Sequence, residues 1–264
     1  MTSVVNDILG SADYFLLLIF RVGALIISSP IFGRVNIPNI AKIGLILSIG
    51  FLFFTIFPQT VPLEYTTLLG FVLVVASEVM LGIALAFITN VFFALTSFTA
   101  GHIIDMQMGY GIVNVYDVQN NTQAPVMGNI LNIMLVLVFF AANGPLYLIE
   151  IIYYTVEEMP IGTLIISPNM SIVIAEVFMR AFKLGLMLAM PILASGLTLE
   201  IAFGMLMRSV PQIHMMVVGM PIKMFVGLTI YMVTLPIFGM FSERIFNEMF
   251  ASLEMMFNVF AGGT

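Results

Sequence analysis

The sequence predicts an all-α, membrane-associated fold of about six long, kinked hydrophobic helices ending in a helical hairpin. Three observations carry that prediction. The 264 residues are 61% hydrophobic and only 8% charged, with a mean hydropathy of +1.14, which is more apolar side chain than a water-soluble domain can cover. The apolar residues fall in runs of span length, punctuated by proline, asparagine and glycine. One stretch, 105–128, reads DMQMGYGIVNVYDVQNNTQAPVMG and is too rich in Gly, Asn, Gln and Asp to cross a bilayer, so apolar runs lie on either side of it.

The elements follow in order. Run 14–32 is succeeded by a loop holding Arg34, Pro38 and Lys42, and run 41–57 ends at Pro58. A polar connection with Pro62 and Glu64 leads into run 68–98. At 1.5 Å per residue that run is about 46 Å of straight helix, so it must tilt, kink or project beyond the membrane. After 105–128 comes run 130–154, broken at Asn143-Gly144-Pro145, and Glu157, Glu158, Pro160 and Pro168 mark the next connection. The end reads as a hairpin. One arm, 171–207, kinks at Pro191, Arg208-Ser209-Val210-Pro211-Gln212 makes a tight turn, and the second arm, 213–239, contains Pro221 and Pro236. Prolines at these intervals curve both arms, which suits helices that wrap an axis. The tail 242–258 sets Ile245, Met249, Leu253 and Met256 at helical spacing beside Glu243, Arg244, Glu248 and Glu254, and reads as an amphipathic helix. Gly82 with Ala86, and Gly185 with Ala189, are small-residue pairs suited to close helix packing.

Composition excludes several chemistries. Cysteine is absent, so disulfides, thiolate catalysis and Cys-ligated metals are ruled out. Eight Lys and Arg scattered singly in a chain of net charge −6 make no basic patch for nucleic acid. Asp7 and Asp13 precede the first run without a basic residue, unlike the start of a signal peptide. Ala194-Ser195-Gly196 is not a nucleophile elbow, there is no phosphate-binding loop, and His102 with Asp105 at i,i+3 is two ligands short of a metal site. No enzyme chemistry and no cofactor is expected.

Charges inside apolar runs are the residues that need explaining: Arg21, Glu78, Glu176, Arg180, Lys183, Glu200 and Lys223. Each costs roughly 2.5–3.5 kcal/mol or more at mid-bilayer without a partner. Glu176 and Arg180, at i,i+4, can satisfy each other. The remainder read either as salt bridges to other helices or subunits, or as a proton or ion relay in a secondary transporter or channel. The first reading is preferred, because no span carries two lone acids at helical spacing. Met205, Met207, Met215 and Met216 crowd the hairpin tip, either as a deformable gasket or simply in place of leucine. Within 105–128 an apolar strip of Ile112, Val113, Val115 and Tyr116 follows Met108 and Tyr110, which suggests an ordered loop that closes or lines something.

Six segments, in order, carry a resemblance: RVGALIISSPIFGRVNIPNIAKIGL (21–45), SEVMLGIALAFITN (77–90), GHIIDMQMGYG (101–111), FAANGPLYLI (140–149), MPIG (159–162) and PQIHMMVVGMPIKMFVGL (211–228). Together they resemble the FliR proteins of the flagellar type III export apparatus. The T components of virulence injectisomes share that superfamily, so an injectisome export-gate subunit is the alternative. The resemblance implies a FliP-like part, 1–183, and a FliQ-like hairpin with its tail, 184–264. It implies assembly with FliP and FliQ into a closed gate in the bacterial inner membrane at the flagellar basal body, largely above the membrane plane. FlhB would associate with that gate, lipid would surround it, and unfolded proteins would pass through it. It makes Lys223, in Pro221-Ile222-Lys223, an inter-subunit contact. It also makes 105–128 a pore plug with Ile112, Val115 and Tyr116 facing the lumen. At the first two of those positions it leads one to expect Phe, where this chain has the smaller Ile and Val.

Overall fold

The computed structural model describes residues 2–57, 67–110, 115–117, 122–162, 170–209 and 215–260, without the side chains of 2–11, 115–117, 122–124 and 215–217. Among them the chain is all-α apart from one small ribbon: α1 (Thr2–Ser28), α2 (Asn39–Ile56), α3 (Leu68–Met108), β1 (Val115–Asp117), β2 (Thr122–Ala124), α4 (Val126–Ala141), α5 (Gly144–Glu158), α6 (Met170–Ser209) and α7 (Met215–Phe260). Helices this apolar satisfy their own backbone groups, which lipid cannot do for them.

Their ends have local causes. Pro38 precedes α2 and its carbonyl accepts from the N–H groups of Ala41 and Lys42. α3 stops at Gly109, whose φ of +81° is a left-handed conformation that glycine takes without a Cβ penalty. α4 and α5 meet at a 69° bend, where Asn143 adopts φ 56° and Pro145 enters the first turn of α5, a position that needs no N–H.

Among the described residues four helices, α2, α3, α6 and α7, are long and apolar enough to cross a membrane, and a fifth span results if α4 and α5 count as one broken crossing. With seven helices among the described residues, the expected all-α architecture of long apolar helices is borne out. The tail is an amphipathic helix as expected, burying Ile245, Met249, Leu253 and Met256 and exposing Glu243, Arg244 and Glu254, but it is the end of a longer one. α7 runs unbroken from Met215 to Phe260, with the Ser242 hydroxyl donating to Phe238 O inside it. The turn at 210–212 lies outside the described residues. The 105–128 stretch also shrinks at both ends, because α3 continues to Met108 and α4 begins at Val126.

The chain forms two compact units that interleave along the sequence, a different partition from a division at 183/184. The first comprises 1–90, 143–177 and 249–264. Leu17, Leu18, Val22, Phe53, Leu81, Leu85 and Ile152 are buried there. Gly82 lets α3 approach α1, since a Cβ there would lie 2.6 Å from Arg21 O and 2.7 Å from Ala24 Cβ. The second unit comprises 91–142 and 178–248. Its core stacks Phe93 on Phe139 and Phe139 on Phe246, each at 5.3 Å, and Gly185 seats α6 against Thr96 and Thr99. Large apolar side chains remain open outside both cores, Ile40, Leu68, Phe225 and Met240 among them, and lipid or other chains must cover them.

Candidate functional site

The 105–128 segment is rooted at both ends in the second unit. Its α4 end is unusual for its cap. The residue before α4 is Pro125, which supplies no capping side chain. The buried carboxylate of Asp105, on α3, accepts from the Met127 N–H at 3.2 Å instead. Gly101 and Gly128 lie beside this bond with their backbones in contact: a Cβ on Gly101 would fall on the Cα and N of Gly128. The α3 end is held by packing. Met108 is fully buried in a notch of α7, where a Cβ on Gly227 would lie 2.7 Å from Met108 Cγ. The Gln107 side chain lies against Gly196 of α6, with its Oε1 buried and unpaired. Between these roots β1 and β2 pair antiparallel, Val115 with Ala124, Tyr116 with Gln123 and Asp117 with Thr122.

The predicted site residues fall out as follows. Ile112 lies outside the described residues. Val115 and Tyr116 stand on β1, their side chains likewise outside. Met108 is packed into the protein, and Tyr110 is half-buried just past Gly109. Met205 is exposed and Met207 half-buried at the end of α6, while Met215 and Met216 open α7 with side chains outside the description. His102 is exposed and stacks on Phe98 at 4.7 Å. Among the described residues no group of three or more His, Asp or Glu could hold a metal.

Arg21 and Glu78 make the deepest polar feature of the first unit. Arg21 Nε donates to Glu78 Oε2 at 2.5 Å, with the side chains only 2% and 0% exposed. Arg21 Nη1 also donates to the carbonyls of Thr155 and Met159, at 2.8 and 3.0 Å. Thr155 O also receives the Met159 N–H, and Met159 is the residue that ends α5, so both carbonyls sit at the negative end of the helix. Glu78 Oε1 accepts from the Gly162 N–H at 2.8 Å, where Gly162 has φ +88°. The pair therefore fastens the end of α5 to α1 and α3. In the second unit Arg180 pairs with Glu248 of α7 at 2.9 Å, and Lys223 of α7 with Glu200 of α6 at 2.5 Å. Arg180 thus has a partner on another helix besides the one its spacing suggested, and Glu176 is half-buried. Lys223 has an intrachain partner where the resemblance implies one on another subunit. Lys183 is exposed.

Because Glu200 is 43% exposed, its pair with Lys223 is worth little, in the range of about 0–1 kcal/mol. Lys223→Ala is therefore expected to leave the melting temperature of the purified chain almost unchanged. A sharp loss of co-purifying subunits in the same variant would place the main partner of Lys223 on another chain.

A family model described as Bacterial export proteins, family 1, matches residues 12–249. The Flagellar biosynthetic protein FliR of Escherichia coli (strain K12) is 33% identical over 233 residues, 88% of each chain. That of Pectobacterium carotovorum is 32% identical over 232 residues, 87% of each chain. That of Bacillus subtilis (strain 168) is 28% identical over 261 residues, 97% of this chain and 98% of its own. The chain belongs to the FliR family of bacterial export proteins. Membership ties it to flagellum biogenesis and protein export, and its apolar helices fit a membrane protein.

Sequence reasoning missed the capping role of Asp105, which had been weighed only as half of a metal site. The signal was there: a helix opening on Pro125 lacks a capping side chain and calls for an acceptor from elsewhere. Nothing in the sequence pointed to Thr155 and Met159, whose contribution is main-chain.

Proposed function

We propose that this chain is a non-enzymatic subunit of the flagellar type III export gate in the bacterial inner membrane, at the flagellar basal body. With FliP and FliQ, and with FlhB associated, it forms the pore through which unfolded flagellar proteins leave the cell, and the 105–128 segment closes that pore. The observation carrying this reading is the segment itself: a polar, glycine-rich hairpin rooted at both ends among apolar helices, in a chain that matches its family along most of its length. Such a segment has more reason to shut a passage than to link two spans. The flagellar version is favoured over the injectisome one because the relatives bear flagellar names. The transporter reading loses support from Glu78 and Glu200, which sit in ion pairs and so are not lone proton carriers.

The absence of cysteine makes a clean test. A single Cys at Ile112, Val115 or Tyr116 is expected to form a disulfide with a Cys-bearing export substrate stalled in the channel. A Cys at Met240, which is 74% exposed on α7, serves as the comparison and is expected to form none. No crosslink at all three segment positions, with substrate demonstrably stalled, overturns the plug assignment.

A further inference from the structure

We infer that Asp105 is the positioning residue of the 105–128 segment, its carboxylate setting where the β1–β2 ribbon leaves the helices by holding the first turn of α4 to the last turns of α3. The inference rests on the gate reading above and adds to it the group that aims the plug.

Three observations lead there. The first turn of any helix has N–H groups without intrahelical acceptors, and a carboxylate beside them gains from both hydrogen bonding and the helix dipole. α4 has no local cap, and the acceptor it uses lies 22 residues upstream on a different helix. A cap borrowed at that distance joins two elements, which a local cap cannot do. Next, β2 ends at Ala124 and only Pro125, with φ −61° and ψ 137°, separates it from α4. One proline is a stiff joint, so the direction of α4's first turn fixes the direction of β2, and β1 follows through its pairing. Finally, the α3 end is already immobilised by Met108 at Gly227 and Gln107 at Gly196. The α4 end depends on Asp105 and on the Gly101–Gly128 contact beside it. Asp105 is only 4% exposed and belongs to none of the ion pairs described above, so a capping and tethering role accounts for a charge that burial would otherwise penalise.

The test compares four variants in cells, each in the assembled export apparatus: Asp105→Asn, Asp105→Ala, Asp105→Ala with Pro125→Asp, and deletion of 111–121. The readouts are collapse of the membrane potential by a voltage-sensitive dye while export is idle, and the amount of export substrate secreted. The deletion and Asp105→Ala are both expected to leak several-fold above wild type. Asp105→Asn keeps an oxygen that accepts the Met127 N–H and is expected to leak less. Pro125→Asp supplies a local N-cap at a backbone conformation suited to one, yet cannot tie α4 to α3. The double variant is therefore expected to remain leaky. Restoration of a tight membrane by the double variant would show that Asp105 merely caps α4, and overturns the inference. So does a tight Asp105→Ala beside a leaky deletion. A tight deletion strain overturns the gate reading and this inference with it. If Asp105→Ala fails to accumulate, the double variant, whose α4 has its own cap, decides: leakage at normal accumulation supports the tether, and a tight membrane overturns it.

Discussion

Replacing Glu78 by leucine is expected to abolish accumulation of the chain in the membrane, because it strands Arg21 in a site only 2% exposed. Removing one partner of a buried pair costs about 3–5 kcal/mol, a large share of the roughly 5–15 kcal/mol that holds a typical domain folded. The loss spreads beyond the pair, since Glu78 also receives the Gly162 N–H and Arg21 holds the Thr155 and Met159 carbonyls. Combining Arg21→Leu with Glu78→Leu removes the stranded charge, so the double variant is expected to accumulate better than Glu78→Leu alone. Full recovery is not expected. The Met159 carbonyl and the Gly162 N–H lose the partners described above, at about 1–3 kcal/mol for each group left buried, while Thr155 O keeps the Met159 N–H. Immunoblots of membrane fractions, read beside swimming on soft agar, check both statements. A double variant no more abundant than the single would show that the stranded charge is not the cause of the loss.

Gly101→Ala is expected to be the next most damaging change for its size. In a helix interior alanine is ordinarily favoured over glycine by about 1 kcal/mol. At Gly101 the added methyl has no room, because it would land on the backbone of Gly128 and not on a side chain able to turn away. Overpacking of this kind costs about 1–3 kcal/mol, and here it pries apart α3 and α4 at the root of the 105–128 segment. Gly44, Gly204 and Gly239 have nothing within 4 Å of a built Cβ, so alanine there is expected to be neutral or stabilising. Melting temperatures of the four purified variants give the comparison. Equal behaviour at Gly101 and Gly44 would refute the close approach.

Much of the helical architecture was legible because its punctuation is local. Asn143-Gly144-Pro145 broke run 130–154 as expected, since a left-handed Asn and a first-turn Pro are short-range chemistry. Pro191 could be placed inside α6 for the same reason. The continuity of α7 was not legible. The drop in hydropathy past Gly239 looks like a boundary, yet Ser242, Glu243 and Arg244 are compatible with helix and nothing there stops one. The little ribbon was hidden too, because three-residue strands carry too few alternations to register. At the site, composition made 105–128 conspicuous, but its fastening was not. Asp105 acts on a main-chain N–H, and Arg21 meets an acid 57 residues away. No spacing rule spans such distances.

The Arg21 contacts also bear on biosynthesis. The guanidinium is made early, while Met159, whose carbonyl it holds, lies 138 residues further on. At ribosomal speeds of about 5–20 residues per second, that gap is roughly 7–28 s during which the nascent α1 carries an arginine without its full complement of acceptors. A messenger truncated before codon 155 would yield a product locked in that unfinished condition. There Arg21 has Glu78 for its charge but no Thr155 or Met159 carbonyl for Nη1, a mark by which quality-control proteases would recognise it.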